Sequence, residues 1–133
     1  MSRSDLAKKL LLTPGKSFLL LHAPENYGQA LAAASENIEQ SESAEGRQFD
    51  MVQLFVRDRA ELEANRDNAI AAVKSGGVLW ITYPKQTGAI KSDLNRDSLV
   101  ALTEPTGWRP VTLIAVDDSW SALRLRPKDE VGT

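Results

Sequence analysis

Val73-Lys74-Ser75-Gly76-Gly77-Val78-Leu79-Trp80-Ile81-Thr82-Tyr83-Pro84-Lys85 is the stretch that decides the fold. A helix is expected to run out at Val73-Lys74, the glycine pair to turn the chain, and Val78 to Ile81 to run on as a strand buried on both faces. Pro84 then stops the strand before a polar loop, because proline offers no amide to a sheet ladder. Together these are the αβ half of a βαβ unit.

Working back from it, residues 49–56 form a second apolar run, followed by Asp58 and Glu61 at capping-box spacing. Each of those side chains can satisfy a free amide of a first helical turn. The helix so started carries Leu62, Ala69, Ile70 and Val73 on one stripe, and Lys74 at its end suits the helix dipole. Residues 17–23 are another continuous apolar strand, met by the turn Pro24-Glu25-Asn26-Tyr27-Gly28 and an alanine-rich helical stretch at 29–35. Ser4 caps a short N-terminal helix within residues 1–14, which Pro14-Gly15 ends. Between them, residues 36–47 are polar; a weak edge strand at 37–40 and an exposed loop fit them equally.

Forward of the opening stretch, Ser92 or Asp93 caps a third helix, from 94 to about 103, with Leu94, Ala101 and Leu102 inward, and Pro105-Thr106-Gly107 terminates it. Residues 111–116 read as an apolar strand and Asp117-Asp118-Ser119 as a tight turn. Residues 120–126 alternate as a half-exposed antiparallel partner would, and 127–133 read as a frayed tail. The expected fold class is therefore three-layer Rossmann-like α/β. It has a mostly parallel sheet of five or six strands, an antiparallel strand from the C-terminal hairpin, and helices on both faces.

With 133 residues, 42% apolar and 26% charged, the chain suits one globular domain spanning residues 1–133. Its net charge of -2 gives no reason to expect nucleic acid as a partner, and Leu10-Leu11-Leu12, cut by Thr13-Pro14-Gly15, is too short for a membrane span or a signal core. A cytoplasmic location follows as the expectation. The absence of cysteine excludes a disulfide framework, a thiolate nucleophile and a cysteine zinc site. Nor is there a serine in a nucleophile elbow, a phosphate-binding loop or a two-histidine metal helix.

An α/β sheet closing with an antiparallel strand after a tight turn resembles the class I S-adenosylmethionine-dependent methyltransferase fold, and residues 73–81 look like that superfamily's glycine-pair-then-strand signature. The resemblance covers residues 49–126 and implies a Rossmann-like frame that holds S-adenosylmethionine. In that family a glycine-rich turn follows the first strand and lets backbone approach the cofactor. Here the same place reads His22-Ala23-Pro24-Glu25-Asn26-Tyr27-Gly28, and no acidic residue ends a clear second strand to hold a ribose. No cofactor is therefore expected from the residues, and S-adenosylmethionine is what the resemblance alone implies. The proline-glycine near the start, the Trp80 strand and the closing segment around Trp120 also resemble small bacterial domains of unknown function, which implies a fold and no activity.

Ligands of open α/β sheets collect beyond the carboxyl ends of the strands. Four segments are expected to converge there: His22 to Tyr27, Arg57-Asp58, Tyr83 to Arg96, and Asp117 to Trp120. His22 could act as a general base, since imidazole exchanges protons near neutral pH, or could simply bond backbone at a strand end. Lys85, Lys91 and Arg96 flank a helix start and could hold a phosphate or carboxylate, with Asn95 beside them. Asp117 with Asp118 could bind magnesium, although aspartate is also a common turn residue and no metal site is expected. Trp120 could stack on a planar ligand or pack in the core, while Asn26, Tyr27 and Tyr83 complete the candidate set. The expected function is a non-catalytic or regulatory binding domain with a degenerate methyltransferase-like fold, recognising a small anion or a protein partner. The alternatives are a divergent S-adenosylmethionine-dependent or other transferase using the strand-end crevice through His22, Asn26, Lys85 and Arg96, and an interaction module pairing through a sheet edge.

Overall fold

The computed structural model describes residues 10, 17–24, 27, 39–41, 46–85, 92–116 and 119–127. They build a six-stranded sheet of order β2-β1-β3-β4-β6-β5, with β1 Ser17–Leu21, β2 Glu39–Ser41, β3 Phe49–Phe55, β4 Val73–Pro84, β5 Trp108–Ala115 and β6 Trp120–Pro127. The first four strands are mutually parallel, and β6 runs against both of its neighbours. Of the two readings open for residues 36–47, a strand forms, as the short β2 on the sheet edge. The expected helices of 1–14 and 29–35, and the tail beyond Pro127, lie outside the described residues.

Two helices are described, α1 Arg59–Ala71 and α2 Arg96–Thr103, and both pack on one face of the sheet through Leu62, Ala69 and Leu99. Leu54, Leu79, Ile81, Leu123 and Leu125 meet them there. The opposite face carries Phe18, Leu20, Met51, Phe55, Trp80 and Ala122, covered by Leu10 and Tyr27. Helices on both faces, as the sequence suggests, are thus seen on one face only among the described residues.

The opening stretch behaves differently from its reading. The first helix of the pair ends at Ala71, where the Ala72 N–H turns back to the Asn68 and Ala69 carbonyls, and β4 already begins at Val73. Val73 is β-branched and buried, and it pairs with Phe49 before the register shifts to Met51 opposite Val78. The glycines therefore lie inside the strand at an irregularity, with Gly76 at φ 77°. Lys74 sits past the helix, 3.5 Å from Asp50 Oδ1.

Residues 120–126, read as a half-exposed partner, form an interior strand between β4 and β5, whereas β5, read as an apolar strand, is the edge, with Val111 and Leu113 exposed. Leu123 and Leu125 fill the helix-covered face, and the polar alternates Arg124 and Arg126 follow from strand parity. The cap of α2 is Asn95, which accepts from Ser98 N at 2.8 Å while its own N–H donates to Ser98 Oγ. Leu94 has to reach the core, so the helix starts two residues later than expected, at Arg96.

Candidate functional site

The parallel strands point their carboxyl ends to one rim, and β1 is flanked there by β2 on one side and β3 on the other. This is the switch point of the sheet, the place on the rim where open α/β folds take their ligands. His22 stands there, exposed, at φ 59°, a left-handed conformation that costs an L-residue energy and is usually given to glycine. Tyr27 closes back over the turn: its N–H reaches the Pro24 carbonyl at 3.2 Å and its hydroxyl donates to Gln53 Oε1 at 3.0 Å. Its ring meets Phe55 edge-on at 4.9 Å, and Phe55 meets Trp120 in the same way at 5.1 Å. Trp120 is consequently a core residue, 6% exposed, and not a rim platform.

Further along the rim the loops are stitched together. Ser92 Oγ donates to the Arg57 carbonyl, and Asp93 Oδ1 accepts from Arg59 N at 3.0 Å, which fixes the approach to α2 against the start of α1. At that start the Asp58 carboxylate caps Glu61 N at 2.9 Å, while the Glu61 carboxylate accepts from Arg57 N, one residue earlier than a strict capping box. Lys85 N–H donates to the Ser119 carbonyl at 2.8 Å and ties the exit of β4 to the β5–β6 turn.

Between these ties lies an open cavity of about 430 Å³, lined by Tyr83, Lys85, Asn95, Arg96, Asp97, Leu113 and Ser121. Tyr83 supplies its floor: the residue is 5% exposed, and its hydroxyl has no hydrogen-bond partner among the described residues. Burial pushes the phenol above its ordinary value of 10.0, and the Arg96 cation pulls it partly back. The cavity thus gathers Tyr83, Lys85, Asn95 and Arg96 from the sequence candidates. His22 and Tyr27 stand apart at the switch point, and Asn26, Lys91 and Asp117 lie outside the described residues. Leu113 and Ser121 carry no site signal in the sequence; Leu113 joins only because β5 is an edge strand, which nothing in its apolar run announces.

No helix among the described residues is long and apolar enough to cross a membrane. No protein-family model and no curated sequence matches the chain. Solved structures do. The DhpI–SAM–HEP complex superposes with a TM-score of 0.63 at 15% identity, over 93% of this chain and 85% of that one. The CcbJ methyltransferase from Streptomyces caelestis gives 0.62 at 8% identity, over 94% and 88%. The glycopeptide N-methyltransferase MtfA complexed with sinefungin gives 0.55 at 9% identity, over 94% and 92%. The chain accordingly has a methyltransferase-like Rossmann fold, built as a mixed six-stranded sheet.

Proposed function

We propose that the protein is a divergent S-adenosylmethionine-dependent transferase, with the cofactor at the switch point between β1 and β3. The observation that carries this is the left-handed turn at His22. Where the resemblance places a glycine this chain has His22, yet its backbone takes the left-handed conformation that a glycine would, with small Ala23 and φ-locked Pro24 next. A turn held against its conformational cost, on the rim where this fold takes its ligands, is a sign of use. It is the reason to favour a transferase over a binding domain without chemistry. The solved structures above that hold SAM or sinefungin support the same choice of ligand.

A sulfonium methyl donor would supply an electrophilic carbon; the protein has then to orient an acceptor and remove its proton. We assign that proton to His22, the exposed imidazole on the rim at the switch point. Tyr27 anchors the turn to the sheet through Gln53. S-adenosylhomocysteine at millimolar concentration should raise the melting temperature, because a ligand specific to the native state stabilises it. An unchanged melting curve with both S-adenosylhomocysteine and S-adenosylmethionine would return the protein to the class of binding domains.

A further inference from the structure

The cavity over the end of β4 stands apart from the cofactor reading. Tyr83 and its pairing partner Ser121 lie on the face that α1 and α2 cover, whereas Tyr27, Phe55 and Trp120 lie on the other. Three features coincide in it. A phenol 5% exposed presents an unpartnered hydroxyl from the floor. The first turn of the eight-residue α2 opens on the same space through Asn95, Arg96 and Asp97. Finally, Lys85 and Arg96 enter it, and neither cation has an ion-pair partner among the described residues.

We propose that this cavity is a binding site for a small organic monocarboxylate. Tyr83 donates to one carboxylate oxygen from below, Arg96 and the helix start meet the other, and Lys85 guards the entrance. Charge selects the monoanion: two cations against Asp97 leave one net positive charge, which a carboxylate neutralises and a phosphate dianion would exceed. Leu113, an exposed apolar side chain on the wall, covers the hydrocarbon body of the ligand, and a volume of about 430 Å³ holds a molecule of ring size. Because burial raises the phenol, it remains a donor throughout the neutral range.

The test is calorimetric titration of the whole chain with benzoate, with benzamide as the neutral analogue and inorganic phosphate, at a pH above its second ionisation, as the dianion. Benzoate is expected to bind, benzamide to bind at least tenfold more weakly, and phosphate to bind more weakly than benzoate. Tyr83→Phe, which leaves the buried ring in place, should weaken benzoate about tenfold, the size of a hydrogen bond to a charged group. Arg96→Gln, on the exposed first turn, should do likewise and cannot act through the core. Equal affinity for benzamide, tighter binding of phosphate, or benzoate binding untouched by both substitutions would overturn the proposal. These outcomes are separable from the cofactor test, since neither variant alters the His22 turn.

Discussion

The Tyr27 hydroxyl donates to Gln53 Oε1 at 3.0 Å, and the same amide donates through Nε2 to Thr82 Oγ1 at 2.9 Å. A fully buried glutamine in the middle strand thereby joins the turn leaving β1 to the end of β4. Tyr27→Phe strips the acceptor of its donor, and should cost about 1–3 kcal/mol in a denaturant titration. In a Gln53→Leu background the same change should cost much less, so the double-mutant cycle should return a coupling near 1 kcal/mol.

His22→Gly should raise stability by up to about 1 kcal/mol, because glycine reaches φ 59° without the penalty paid by an L-residue. His22→Ala keeps the penalty and should not stabilise. Both variants should lose transferase turnover while keeping the shift with S-adenosylhomocysteine, which separates the imidazole's chemistry from the turn's geometry.

Gly76 and Gly77 look interchangeable in the sequence and should respond oppositely in size. Alanine at Gly76 meets open space and only the strain of φ 77°, about 1 kcal/mol. A Cβ at Gly77 would lie 2.9 Å from the Asp50 and Lys74 carbonyl oxygens, so Gly77→Ala should cost about 2–3 kcal/mol by thermal melting.

Asp50 is held below its ordinary 3.8, first by the Ser17 N–H, then by the Ser17 hydroxyl and Lys74, against an opposing effect of burial. A carboxyl lowered by folding stabilises the native state above the unfolded pKa and loses that contribution as pH falls through the folded one. Unfolding free energy measured downward from pH 5 should therefore decline less steeply in Asp50→Asn than in the parent, with the two converging at low pH.

Trp80 Nε1 donates to the Leu10 carbonyl at 2.9 Å, both residues being buried. Trp80→Phe leaves that carbonyl unpaired and a gap beside it, and should cost about 2–3 kcal/mol while abolishing a buried-tryptophan emission component.

Much of the frame was legible because strands buried on both faces read as mostly apolar runs, as at Leu19-Leu20-Leu21 and at Val52 to Val56, which only Gln53 interrupts. Strand order was not, since β5 and β6 carry apolar residues alike and only the tertiary pairing decides which lies inside. Ala72 and Val73 show the same limit: helix propensity favours continuing, but Val73 gains more as a buried partner of Phe49. Within the cavity, Tyr83, Lys85, Asn95 and Arg96 were visible as a strand exit and a helix start, while Ser121 and Leu113 arrive from a hairpin whose place in the sheet no local pattern encodes.

The placement of β6 between β4 and β5 has a consequence in time. Among the described residues β5 pairs with β6 alone, so Trp108 to Ala115 stay without a sheet partner until β6 is made. The order of synthesis and the order of assembly thus part company at the last strand. The β5–β6 hairpin acts as a latch: a nascent chain can assemble its parallel half early, but the wall that carries Leu113 and Ser121 forms only once β6 has been made.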